Sequence, residues 1–152
     1  MSRRVARETA MKTLFQREFH DISPELALSL ALEETTELTT NDMIFAHQLI
    51  DGVIAHQPQL DATLNEFAVD WKMDRIAKLE RSILRLALFE LMFMDDVPVG
   101  VTVNEAIEIT KIYSSQEASR FINGILGNVI QHRKVLQNKS AEEGKPAGEE
   151  ND

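Results

Sequence analysis

The pattern of apolar and polar positions is helical almost from end to end, and it has a centre. From Asp74 to Met94 the run DRIAKLERSILRLALFELMFM is apolar on most of its circumference, more than the single stripe of a surface helix. Its Lys78, Arg81 and Arg85 recur at three- and four-residue spacing, which predicts one solvent-facing edge on an otherwise buried rod. Asp74 is placed to cap its start, and the DDVP after Met94 to end it. The remaining helices are expected to pack around it.

Residues 3–19 read as a basic amphipathic helix behind a Ser2 cap, with Val5, Ala6, Ala10, Met11 or Thr13, Leu14 and the terminal Phe19 turned to a core. Arg3, Arg4, Arg7 and Lys12 then fall on or beside its exposed side, and Phe15 on the border. Ser23-Pro24-Glu25 is a cap, a proline at the first helical position and a first-turn acid, which start a second helix running to about Glu34. Thr39 to Asp42 start a third, which Pro58 should terminate; Leu60, Leu64 and Phe67 mark a short fourth. Trp71 anchors the junction to the central fifth helix. A sixth follows the VPVG break, with Thr102 or Asn104 near its start, until Ser114 and Ser115 interrupt it; a seventh carries Phe121 to Ile130 and fades by about Gln137.

Composition narrows the class. With 152 residues, 43% hydrophobic, few glycines and prolines and almost no alternating β-branched runs, the chain suits an all-α fold of about seven helices in two small packed bundles, about 1–70 and 71–137. Residues 138–152 contain no apolar side chain larger than alanine and read as a disordered acidic tail. No cysteine is present, which excludes disulfides and thiol chemistry, and no apolar run reaches the length of a membrane span, so a cytoplasmic protein is expected.

The net charge of −9 is unevenly spread. Residues 1–19 hold five basic against two acidic groups, and residues 138–152 two against five. A basic end on an acidic body suits local, oriented contact with a nucleic acid rather than general coating.

Candidate chemistry is sparse. His20, His47, His56 and His132 lack metal-ligand spacing, so surface or boundary positions are expected. Glu105 and Glu108, with Lys111 nearby, read as a solvated face or a protein contact. Gly124 and Gly127 resemble a GxxG loop but lie inside a helical pattern, which points to close helix packing at Gly124. Nothing organises a nucleophile, a base and an oxyanion site, so an enzyme is not expected. The basic helix could contact phosphates while Phe15 and Phe121 stack on unpaired bases; equally, the arginines could be solvated and the rings core.

One longer pattern decides between these. Residues 80–130, ERSILRLALFELMFMDDVPVGVTVNEAIEITKIYSSQEASRFINGILGNVI, resemble the NusB family of bacterial transcription antitermination factors through LRLALFEL, VP, VTVNEAIEITK and RFINGIL in that order and spacing. Trp71 and the start RRVARETAMKTLF fit as well, so the resemblance covers about residues 3–133. It implies an all-helical fold of two bundles without cofactor, pairing with NusE, a small-subunit ribosomal protein. It also implies binding of the pair to the single-stranded boxA element of nascent ribosomal RNA leaders, in a complex that helps RNA polymerase resist termination, with a homodimer as a possible free form.

Carried over by position, the RNA-facing residues are Arg3, Arg4, Arg7 and Phe15, with Glu117, Arg120, Phe121 and Asn123 around RFING. Glu80, Glu90 and Glu105 are the corresponding candidates for the protein partner, as exposed positions of the later helices. Val5 interrupts the arginine run, and the acidic tail departs from the family pattern. With few basic residues on an acidic body, weak RNA binding alone and completion of the basic surface by the partner are expected. The alternatives are a helical protein-interaction module without RNA, and a NusB-like domain separated from an RNA methyltransferase.

Overall fold

The computed structural model describes residues 3–34, 37–68 and 76–132; Ser2, Trp71, Asp74, the residues after His132 and hence the acidic tail lie outside them. Six helices appear there: α1 (Arg4–Phe19), α2 (Pro24–Leu32), α3 (Thr40–Phe67), α4 (Lys78–Phe93), α5 (Val99–Tyr113) and α6 (Gln116–His132). The described residues contain no strand, so the all-α class holds.

The central rod is α4. It packs against α1, α3, α5 and α6, and every residue from Ser82 to Leu91 is buried. Leu84, Leu88 and Leu91 meet Leu49, Leu60, Leu64, Ile122 and Leu126 in one continuous core. The local start signals work as read. The Ser23 hydroxyl accepts the Leu26 amide at 3.1 Å, and Thr39 and Asp42 form a reciprocal capping box. Ser114 and Ser115 separate α5 from α6. The later helix begins earlier than Thr102 or Asn104 suggested, at Val99 behind Pro98, without a side-chain cap.

Pro58 does not terminate a helix. The expected third and fourth helices are one 28-residue helix, α3, with non-helical backbone at His56 (φ −116°, ψ 15°). A proline removes one helical hydrogen bond and crowds the preceding turn, which here produces a kink rather than a stop. Both halves bury apolar residues in the same core, Leu49 and Val53 before the kink and Leu60 and Leu64 after it, and that burial holds the halves in sequence.

The close approach assigned to Gly124 belongs instead to Gly52. A Cβ on Gly124 would meet nothing within 4 Å, whereas one on Gly52 would lie 2.0 Å from Cζ of Phe89. Gly52 therefore lets the Phe89 ring rest on the α3 backbone, beside Phe93 and the His56 ring that stacks 4.2 Å from Phe93. Gly52→Ala is expected to lower stability by about 1–3 kcal/mol through overpacking, although helix propensity alone would raise it by roughly 1 kcal/mol. The sign of the shift in the urea midpoint decides which effect governs.

Two apolar residues expected in the core are outside it. Val5 is 36% and Phe19 55% exposed, because the buried side of α1 is formed by Ala6, Ala10, Met11, Thr13 and Leu14.

Candidate nucleic-acid interface

The arginines of α1 do not form a bare cationic face. Arg7 is 4% exposed and reaches inward, donating from Nε and Nη2 to both Glu90 carboxylate oxygens at 2.8 Å each. The Thr102 hydroxyl donates to the same Glu90 at 2.9 Å. Arg4 makes a second two-point pair, 2.7 and 2.9 Å, with Glu105, which also lies 3.8 Å from Arg7. The hydrogen bonds from Arg4 hold the Glu105 carboxyl below the usual carboxylate range against the opposing effect of burial.

These pairs correct two expectations. Arg7 is not on the exposed side of its helix, and Glu90 and Glu105, at 2% and 5% exposure, are not surface positions for a partner. Glu80 is buried too, accepting a short hydrogen bond from the Ser114 hydroxyl. Glu90 and Glu105 each have an arginine of α1 as donor, and a paired charge can be buried where an unpaired one cannot; Glu80 is held by the neutral Ser114 hydroxyl just after α5 and lines a cleft. Glu108 and Lys111 do form a solvated pair, at 3.5 Å.

Of the expected wet edge of α4, Lys78 is exposed, whereas Arg81 and Arg85 form an internal seam. Arg85 is buried between Asp61 of α3, at 2.7 and 2.9 Å, and Glu18 of α1, at 2.7 Å. Arg81 adds a 2.6 Å bond to Glu18. Burial pushes the Glu18 carboxyl up, but the bonds from Arg85 and Arg81 outweigh it and leave its pKa lowered.

The residues assigned to RNA fall into two groups at opposite ends of α4, which is about 24 Å long. Arg3 is exposed at one end, in a left-handed conformation with φ 56°, its guanidinium 4.2 Å from the ring of Phe45. With Thr39, Asn41 and Asp96, which follows α4, it lines a cleft of about 460 Å³. Arg4 and Arg7 sit at this end.

The other end gathers Phe15, Glu117 and Phe121. Phe15 packs edge-on against exposed Phe19 at 4.9 Å, and Lys78 lies 4.5 Å over the Phe19 ring. Beside them a cleft of about 300 Å³ opens between the start of α4 and the α5–α6 turn, lined by Ile76, Ala77, Glu80, Ser114, Glu117 and Phe121, among others. Phe121 is half-buried, while Arg120 and Asn123 stand exposed in the same turn of α6. Lys12 connects the ends: its Nζ lies 5.4 Å from the Tyr113 ring, just before that turn, and 3.3 Å from Glu34. Since Arg4 meets Glu105 and Lys12 meets Tyr113 eight residues on in both helices, α1 and α5 run side by side in one direction.

Sequence reading missed Phe19, Lys78 and Ser114 as members of this surface. The available signal was the aromatic pair Phe15 and Phe19 at helical spacing, which places both rings on one side of α1.

Comparison with known proteins agrees with this architecture. The NusB family model matches residues 4–131. The transcription antitermination protein NusB of Bacillus subtilis is 45% identical over 129 residues, spanning 85% of this chain and 95% of that protein. Among solved structures, T. maritima NusB superposes with a TM-score of 0.79 at 33% identity, covering 90% of this chain and 95% of the other. A chain from the crystal structure of antitermination factors NusB and NusE in complex with dsRNA superposes with a TM-score of 0.78 at 25% identity, over 86% and 96% of the two chains. With its family pattern extending from α1 to the end of α6, the chain belongs to the NusB family of transcription antitermination proteins, which are not enzymes.

Proposed function

We propose that this protein binds the boxA element of nascent ribosomal RNA leaders as a heterodimer with NusE, in the cytoplasm, and thereby helps RNA polymerase resist premature termination. The observation that carries the reading is the likeness, across most of the chain, to a structure in which NusB and NusE are assembled with RNA. The surface is consistent with it. Exposed Arg3, Lys78 and Arg120 offer charge to phosphates, and Phe15, Phe19 and Phe121 offer ring faces and edges to unpaired bases. Arg4 and Arg7 serve chiefly to hold α1 onto α4 and α5 in this reading, and Asn123 adds a polar contact beside Arg120.

Among the described residues few cations remain at the surface once the internal pairs are made, so in this reading the protein alone is a weak RNA binder and its partner supplies the rest. Fluorescence titration of a labelled boxA single strand against a scrambled strand, with and without NusE and at two salt concentrations, tests this. NusE is expected to tighten binding to the boxA strand selectively, and Arg120→Ala to weaken it while reducing the salt slope by about 0.7, the contribution of one single-strand phosphate. Equal binding of both strands, or none, would leave the chain a helical protein-interaction module.

A further inference from the structure

We propose that the outer side of the α3–α4 pair, towards the end of α4, is a docking face for an arginine-bearing basic segment of a partner protein. The two helices run antiparallel: Arg85 meets Asp61, the Phe89 ring rests on Gly52, and Asp96, which follows α4, lines one cleft with Ile44 and Gln48. Ile44, Gln48, Asp51 and Ala55, all exposed, follow one another at four- and three-residue spacing and form one stripe of α3. Phe93 flanks the far end of that stripe, its ring 4.2 Å from that of His56 and 5.4 Å from that of Phe89. The large apolar groups here are left in water, Ile44 at 53% and Phe93 at 38% exposure. From Ile44 to His56 the face is about 18 Å long, enough for about five extended residues.

The occupant follows from the charges. Along its whole length α3 contains no lysine or arginine, and neither do residues 86–101. Asp51 in the stripe and Asp96 beside it are exposed, and among the described residues neither enters an ion pair. Arg3 borders the face at the Ile44 end, where its guanidinium lies over the Phe45 ring. A phosphate chain would meet two uncompensated carboxylates here, whereas a cationic segment would find both as counter-charges. Arginine fits better than lysine. Its planar, weakly hydrated guanidinium can stack on the exposed Phe93 ring and still donate to a carboxylate, and its aliphatic stem can cover Ile44. Phe93 and Lys78 stand at opposite ends of α4, about 24 Å apart, so this face can be filled while the RNA surface at the start of α4 is in use.

The test is a nitrogen-15 and methyl NMR titration of the full chain with a glycine–serine peptide carrying several arginines, its lysine counterpart, its glutamate counterpart and a uridine-rich single strand. The arginine peptide is expected to shift Ile44, Asp51, His56 and Phe93, to bind about threefold tighter than the lysine peptide, and to weaken as salt is raised. Phe93→Leu should abolish the arginine preference. Asp51→Asn combined with Asp96→Asn, both at exposed positions, should weaken both basic peptides about fivefold and serves if Phe93→Leu does not fold. No shift of these residues by either basic peptide, an arginine preference that survives Phe93→Leu, or affinity unchanged by the paired asparagines overturns the proposal. It is equally overturned by shifts confined to residues 138–152, which would assign the peptide to the acidic tail. The same residues shifting with the RNA strand would assign the face to nucleic acid, and their shifting with protein concentration alone would assign it to a second copy of the chain; either result overturns the basic partner.

Discussion

Truncating Glu90 to alanine is expected to destabilise the protein by about 3–5 kcal/mol, because it strands a charge that the fold has no means of rehydrating. Arg7 is almost wholly buried, and its two hydrogen bonds to Glu90 are prominent among the contacts that compensate its removal from water. The Thr102 hydroxyl loses its acceptor in the same step. Nearby Glu105, 3.8 Å from Arg7, is already engaged by Arg4 and offsets only part of the loss. Removing both partners should cost much less than removing one. Arg7→Met with Glu90→Leu is therefore expected to recover most of the stability, since an apolar pair of similar volume carries no desolvation penalty. Equilibrium unfolding in urea of the two single variants and the double variant measures this directly. A cost below about 1 kcal/mol for Glu90→Ala would show that the pair contributes no more than a surface salt bridge.

Arg85→Ala is expected to cost about 3 kcal/mol near neutral pH and to alter how the protein responds to acid. Two carboxylates lose a partner, but Asp61 is 27% exposed and can rehydrate, and Glu18 retains Arg81, so the cost sits at the lower end of the range for a buried pair. In the intact protein Glu18 has a folded pKa below its unfolded value. Its contribution is therefore present above the unfolded pKa and is lost as pH falls through the lower folded one. Glu105, lowered by Arg4, acts in the same direction. Without Arg85 the folded pKa of Glu18 rises towards its ordinary value. The acid loss due to Glu18 then begins at the same pH, set by the unfolded state, but ends at higher pH and is smaller. Urea midpoints from about pH 7 to about pH 3 should show the variant with a shallower acid slope than the parent; parallel profiles would remove Arg85 as the cause of the shift on Glu18.

The helices were legible in the sequence wherever their causes were local. Ser23-Pro24-Glu25 marks the start of α2 because the cap and its acceptor amide are three residues apart, and the same holds for Thr39 and Asp42 at α3. Family membership was legible for a related reason: LRLALFEL, VTVNEAIEITK and RFINGIL are contiguous runs whose order can be read without knowing which residues touch. The candidate site was less so. Phe15, Glu117 and Phe121 do come to one end of α4, whereas Arg3, Arg4 and Arg7 lie at the other, and no periodicity relates positions more than a hundred residues apart.

Helical periodicity and capping chemistry thus determined the elements, the buried character of α4 and the family, since each depends on neighbours within a few residues. Tertiary structure alone decided the fate of the charges. A pattern assigns every arginine and glutamate to water, because burial of a charge depends on its partner, and the partners here are far away: Arg4 with Glu105, Arg7 with Glu90, Arg85 with Glu18. It also decided that Pro58 would bend rather than end α3, and that Gly52 rather than Gly124 would receive a neighbouring ring, because both follow from what α4 places against the helix.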